Sequence, residues 1–379
     1  MPWAPMCGPA PERTQQWKLW SALPGRPKSG RTAVSRSAER ADGLKHLFAD
    51  VVDGLLEASV IGSFTRVGIV TRRRVAHWPA TPRLDGKVIV VTGASSGIGR
   101  AAAVSLARLG ADLLLVGRDE TRLAATHRSA ASTRGGGRIM PARLDLVDPG
   151  AVSSFAEGVL ASESRLDGIV HCAGALYTDY RTAADGTELT LSTHVVAPFR
   201  LSLLLSPLLF ATPVSEIVTV SSGGMYTQRF DLDDLELTPA AYRGTTAYAR
   251  AKRAQVVLAH EWARRWRHEG VASYAMHPGW VKTPGLNASL PTMARLGPLL
   301  RTPTEGADTA VWLVAGGQRS PGHSERDQFP TTDQTGGIWL DRRQRHEYYL
   351  PTTYRRPAGR RRDGEALWEW CAERTKPGR

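Results

Sequence analysis

Tyr248-Ala-Arg-Ala-Lys252 places a phenol and an ammonium four residues apart, a spacing that sets both on one face of a helix. A positive charge beside a phenol favours phenolate and lowers the tyrosine pKa from its ordinary value of about 10. Tyr248 is therefore expected to give or take a proton near neutral pH. Lysine is the rarer cation in this chain, with 7 Lys against 42 Arg. It is also the cation whose pKa shifts readily, unlike a guanidinium. The same spacing occurs in ordinary surface helix pairs, so the segments that must position the pair decide the reading.

One such segment is Thr92-Gly93-Ala94-Ser95-Ser96-Gly97-Ile98-Gly99. It follows Val88-Ile-Val-Val-Thr92, an apolar β-branched run that reads as a buried strand. It precedes Arg100–Leu109, rich in good helix formers. Strand, glycine turn and helix N-terminus form an anion site, where backbone N–H groups and the helix dipole face a phosphate. The spacing is G-x-x-x-G-x-G rather than the commoner G-x-G-x-x-G.

From about Leu84 to Asp341 the chain resembles the short-chain dehydrogenase/reductase superfamily. The resemblance rests on Thr92–Gly99, on Val218-Thr-Val-Ser221-Ser222, on Tyr248-x-x-x-Lys252 and on His277-Pro278-Gly279-Trp280-Val281-Lys282-Thr283, in that order. It implies that Ser222, Tyr248 and Lys252 perform the chemistry, with Lys252 also holding the nicotinamide ribose. It implies a dinucleotide site of Gly93, Ser95, Ser96, Gly97, Ile98, Gly99, Asp145, Leu146, Ala173, Gly174, Pro278, Gly279, Val281 and Thr283, completed by Tyr248 and Lys252. Ser221-Ser-Gly-Gly-Met225, Gln255-Val-Val-Leu and Glu305-Gly-Ala-Asp-Thr309 are similar to the branch of SDR family member 12, near the retinol dehydrogenase-like enzymes. Two departures stand out. His171-Cys172-Ala173-Gly174 replaces the usual Asn-Asn-Ala-Gly, and His194 occupies the slot of an asparagine that holds a water in the proton relay behind the lysine. A histidine can donate and accept but also titrates near pH ~6.5, so His194 is either a relay residue or a satisfied buried histidine.

Rossmann proteins that prefer NAD end the second strand on an acidic residue that binds the ribose. Here that strand ends Val116-Gly117-Arg118-Asp119. With Gly117 in the acidic slot, the Arg118 fork meets a 2′-phosphate, and Arg100 adds a second charge. NADP(H) is thus the expected cofactor, NAD(H) the second option, and Asp119 in the ribose role the competing register. No metal site is expected.

The strands expected after the first are Asp112–Gly117, Ile139–Leu144, Gly168–Cys172, Glu216–Val220, Val271–Met276 and Ile338–Leu340. Helical stretches separate them, notably Thr187–Phe210 and Tyr248–Glu269. Such alternation predicts an α/β, Rossmann-type, doubly wound parallel sheet. The expected organisation is a disordered Pro/Arg-rich extension over 1–43, an amphipathic segment over 44–83, one catalytic domain over 84–341 and a basic tail over 342–379. The amphipathic segment reads as a cap, an oligomer contact (hence a homo-oligomer as one option) or a helix at a membrane surface. The apolar stretch Pro284–Pro303 reads as a substrate lid or as core, and Ser320–Gln334 as a loop.

The formal charge is +13, and it sits in the ends: +7 over 1–83 and +6 over 342–379, with 84–341 neutral. No zinc-finger spacing, heptad array or aromatic RNA-binding box accompanies it, so a nucleic-acid partner is not expected. Cys7, Cys172 and Cys371 lack CxxC spacing, which points to a reducing cytoplasm. No run reaches the ~18 apolar residues that span a bilayer. The resemblance makes the chain an oxidoreductase interconverting an alcohol and a ketone or aldehyde of a small molecule, and an apolar lid over Pro284–Pro303 would suit a lipophilic one. A catalytically weak dinucleotide-binding regulator is the alternative.

Overall fold

The computed structural model describes residues 47–289, 295–319 and 335–376. The expected extension over 1–43, Leu290 and Met293 of the apolar stretch, and the loop Ser320–Gln334 lie outside them. The chain divides into two units, Met1–Phe48 and Ala49–Arg379, and every element named below belongs to the second.

Eight strands form one sheet: β1 (Val88–Thr92), β2 (Asp112–Gly117), β3 (Ile139–Arg143), β4 (Gly168–His171), β5 (Ser215–Val220), β6 (Val271–Met276), β7 (Ile338–Leu340) and β8 (Arg343–Arg345). Their order is β3-β2-β1-β4-β5-β6-β7-β8. The first seven run parallel, and β8 returns antiparallel on β7. The expected doubly wound sheet is what the chain forms, and it continues past Asp341.

The helices are α1 (49–57), α2 (Val60–Phe64), α3 (Arg66–Val75), α4 (Gly97–Arg108), α5 (Glu120–Ala131), α6 (Pro149–Ser162), α7 (Leu189–Leu191), α8 (Ala197–Leu204), α9 (Ser206–Ala211), α10 (Gly244–Arg265), α11 (Pro284–Ser289), α12 (Pro303–Val314) and α13 (Pro357–Arg374). β1, β4, β5 and β6 are buried at every position, as strands covered on both faces must be. Alternate residues serve the two layers. Ile89 and Val91 pack with Leu106 of α4, Leu123 of α5 and Val311 of α12. Val88 and Val90 pack with Val159 of α6, Leu258 and Trp262 of α10, and Leu367 and Cys371 of α13. The strand order reverses between β1 and β4, so a crevice opens at their carboxyl ends, where ligands of open α/β sheets bind.

Some boundaries differ from the sequence-based expectation. The stretch Thr187–Phe210 is not one helix: a π-helical turn over Ser192–Val196 separates α7 from α8. A further break at Leu205 precedes α9, where Pro207 cannot supply the N–H that a continuous helix needs. α10 starts four residues before Tyr248 and gives way to a 3-10 turn at Arg267–Glu269. Among the described residues no helix is long and apolar enough to cross a membrane.

Candidate active site

The glycine segment turns at the end of β1. Gly93 has φ +67°, and a Cβ there would stand 2.8 Å from the Ala173 backbone, so only glycine allows the two loops to meet. Thr92 Oγ1 fastens them, accepting from the N–H groups of Cys172 (3.1 Å) and Ala173 (3.2 Å). Ser96 caps α4 without a side-chain bond to the helix N–H groups, which leaves those donors for an anion. Ser95, Ser96, Gly97 and Ile98 are half-buried and Gly99 is buried. A Cβ on Gly97 would lie 3.3 Å from Thr283 Cγ2, so the fold brings the far end of the Pro278–Thr283 turn onto the glycine segment. These residues fit a dinucleotide: the open backbone donors of the glycine segment lie beside the turn bearing Val281 and Thr283.

Around the second strand, Gly117 is buried against Ser95, and Arg118 is exposed. Asp119 caps α5, its carboxylate accepting from Arg122 N (2.9 Å) and pairing with Arg122 Nε (2.7 Å). The hydrogen bond from the Arg122 backbone holds that carboxyl below its usual range. Arg100 reaches Ser129 Oγ on α5 at 3.2 Å. Beyond β3, Asp145 is exposed and accepts from Val147 N, whereas the Leu146 side chain packs into the core.

At the other end of the crevice Ser222, Tyr248, Lys252 and His194 come together. Ser222 follows β5, and Tyr248 and Lys252 share a face of α10, with Lys252 Nζ 5.4 Å from the Tyr248 ring centre. Ser222 lies near enough to the Tyr248 phenol to favour its phenolate. Ser221 instead donates to Lys252 O at 2.8 Å, which locks the end of β5 onto α10. The Lys252 ammonium donates to Val220 O (2.8 Å) and Gln255 Oε1 (3.1 Å). Burial pushes its pKa down to about 7, against a small opposing effect from Cys172.

Tyr248 was expected to titrate low under the influence of Lys252. Burial raises it, and Ser222 only partly offsets that rise. The reason is geometric: Lys252 lies beside the ring and donates to Val220 O and Gln255 Oε1, while burial of the phenol disfavours phenolate. The neutral phenol is the stable form.

His194 sits in the π-helical turn, its ring edge-on to Tyr248 with centroids 5.3 Å apart. Its Nε2 donates to Ala175 O at 2.8 Å, and a Cβ on Gly174 would collide with the ring. Burial, then the Lys252 charge, lowers its pKa to about 3, so the ring is neutral. The link to Lys252 runs through the His194 carbonyl, which accepts from Gln255 Nε2 at 2.8 Å. Gln255 was not singled out as a site residue from sequence, although it lies one helical turn past Lys252 and thus on the same face. Phe64 and Arg301, described below, were also missed, and no local signal marks them.

Residues 87–294 match the family model for short chain dehydrogenase. Dehydrogenase/reductase SDR family member 12 of Bos taurus is 37% identical over 233 residues, which cover 61% of this chain and 73% of that protein. Retinol dehydrogenase 11 of Homo sapiens is 33% identical, covering 61% of this chain and 74% of its own length. Among solved structures, a Beutenbergia cavernae protein with NADP bound at low occupancy is 28% identical, with a TM-score of 0.52 over 68% of this chain and 95% of that one.

Proposed function

The chain belongs to the short-chain dehydrogenase/reductase family, and we propose that it is an NADP(H)-dependent oxidoreductase that interconverts a lipophilic alcohol with its ketone or aldehyde. The observation that carries this reading is the convergence of Ser222, Tyr248 and Lys252 at the carboxyl end of β5. The bound nicotinamide supplies or takes the hydride. In reduction, Tyr248, kept protonated by burial, gives its proton to the carbonyl oxygen. Ser222 donates a hydrogen bond to the same oxygen, an oxyanion-type role. Ser222, which lowers the Tyr248 pKa, stabilises the phenolate that results, and Lys252 holds the nicotinamide ribose. His194, neutral and fixed by Ala175, forms part of the wall beside Tyr248.

The preference for NADP(H) rests on Gly117 and Arg118, and the capping role of Asp119 favours that register over the ribose-binding alternative. The lipophilic substrate is supported by the similarity to a retinol dehydrogenase and by Leu296, Leu299 and Leu300 after the Pro-Gly turn.

The test is to follow NADPH and NADH consumption with a panel of lipophilic aldehydes and ketones. Tyr248→Phe should keep NADPH affinity yet lose about 10²–10⁴-fold in turnover. Arg118→Ala should weaken NADPH far more than NADH. Turnover by Tyr248→Phe equal to the parent's would overturn the chemistry. NADPH binding without turnover by the parent on any panel member would favour the regulatory alternative.

A further inference from the structure

The family match begins at residue 87, yet part of the candidate site's wall comes from upstream of it. The five-residue α2 ends in carbonyls that no helix can satisfy, and the rest of the molecule takes them. Trp280 N donates to Phe64 O at 2.8 Å. Arg301 donates through Nε to Phe64 O (3.1 Å) and Thr65 O (3.2 Å), and through Nη2 to Ser63 O (2.8 Å). Arg72 adds a bond to Ser63 O at 3.2 Å. Asp341 pairs with both guanidiniums, at 2.6 and 2.9 Å from Arg301 and 2.8 Å from Arg72, and Asp53 and Glu57 complete the charge on Arg72.

This anchoring delivers the Phe64 ring, 5% exposed, between the two loops on which the chemistry depends. The ring lies 4.5 Å from His277 and 6.0 Å, edge to face, from Trp280. A Cβ on Gly223, next to Ser222, would stand 2.6 Å from Phe64 Cε2. A Cβ on Gly279, next to Pro278, would stand 2.6 Å from Phe64 O. Both loops are glycine where Phe64 leans on them.

We propose that Phe64 is a positioning residue for the reaction, holding the Ser222 loop and the Pro278–Thr283 turn at the separation that cofactor and carbonyl require. The inference rests on the dehydrogenase reading above. It makes the N-terminal helices a component of the site, which goes beyond a cap that only stabilises the domain.

The test uses the full chain with Phe64→Ala, Phe64→Leu and a control, Leu367→Ala, at a fully buried residue of α13 in the core layer of α10. NADPH affinity is read by fluorescence titration, kcat and KM on a carbonyl that the parent reduces, and stability by melting temperature. Phe64→Ala should weaken NADPH severalfold and lower kcat at saturating NADPH by about ten- to a hundredfold, as a displaced reacting group does. Phe64→Leu should recover much of the loss. Leu367→Ala should lower the melting temperature while NADPH affinity and kcat stay at the parent's values. Unchanged affinity and kcat in Phe64→Ala overturn the proposal, as does an equal loss in Leu367→Ala. If Phe64→Ala does not fold, Phe64→Leu decides: an intermediate kcat supports the role and a parental one overturns it. A parent that binds neither NADPH nor NADH overturns the dehydrogenase reading instead.

Discussion

The polar groups around Lys252 and those around Asp341 are both hidden from solvent, yet burial prevails in the first cluster and pairing in the second. Lys252 faces only neutral partners, Val220 O and Gln255 Oε1, and its pKa falls to about 7. His171 and His194 fall to about 3 chiefly through burial, as does His277, which borders the Asp341 cluster and feels Arg301 next. Around Asp341 the same desolvation acts, but Arg301 and then Arg72 overcome it and the carboxyl is held below its usual range. Asp53 behaves likewise between Arg345 and Arg72. A buried charge with a charged partner stays fixed, whereas one with neutral partners becomes titratable. A site that must exchange protons needs the second arrangement. A brace that must hold Phe64 and the Pro-Gly turn needs the first.

The strongest way to break this contrast is to remove one charge from the brace. Asp341→Asn should lower the unfolding free energy by about 3–5 kcal/mol, because two buried guanidiniums lose their common carboxylate. Asparagine is the right substitute, since residue 341 has φ +55° and asparagine tolerates the left-handed region better than alanine. Urea unfolding measures the change. A loss below about 1 kcal/mol, the range of surface pairs, would mean that water reaches the cluster and the contrast fails.

Acid titration separates the clusters by pH window. The three histidines have folded values near 3 and an unfolded value of about 6.5, so between these limits the unfolded chain binds protons that the native one refuses. Stability is full above pH ~6.5 and is lost as pH falls, by about 2 kcal/mol per histidine at pH 5. Lys252 adds nothing there, being charged in both states below about 7. Glu216, which burial raises, works in the opposite sense. The brace carboxylates, held low, contribute loss only below about 4. Unfolding free energy should therefore decline from pH 6.5 to 5. Stability that stays flat until pH 4 would show that the histidines are solvated in the native state.

How much of this was legible in the sequence follows the same division. The glycine turn and Tyr248-x-x-x-Lys252 are local: one strand end, one helix face. The parallel sheet was legible too, because short runs rich in Val, Ile and Leu alternate with helical stretches along the chain. The brace was not. The +6 over 342–379 suggested a basic tail but not which acidic residues its arginines meet. In the fold Arg342 pairs with Asp308, and Arg343 with Asp50 and Asp53. Arg345 pairs with Asp53 and Glu57. The pairs of Arg343 and Arg345 with Asp50 and Asp53 join residues 290 to 293 positions apart, so no short window along the chain contains both partners. The π-helical turn at Ser192–Val196 was hidden for another reason: its residues are ordinary for a helix, and only the packing of His194 on Tyr248 and Gly174 distinguishes it. The pKa of Tyr248 was misjudged because spacing gives the distance to Lys252 but not where its protons point.

The smallest effect is expected at Gln255, and it asks whether neutral partners set the titration of the site. Gln255 Oε1 accepts from the Lys252 ammonium, and Gln255 Nε2 passes the chain to His194 O. Gln255→Leu removes an acceptor for the charged form, so the Lys252 pKa should fall further. Gln255→Glu puts a carboxylate in the same place, so it should rise. If turnover requires charged Lys252, the alkaline limb of kcat against pH moves down in the first variant and up in the second. Each shift should be about one pH unit, the size of a hydrogen bond to a charged group. Movement in opposite directions cannot come from general damage to α10, which would depress kcat without moving the limb with the sign of the new charge. A limb fixed in both variants would assign the titration to a group other than Lys252, and the contrast between a titratable site and a fixed brace would then rest on the histidines alone.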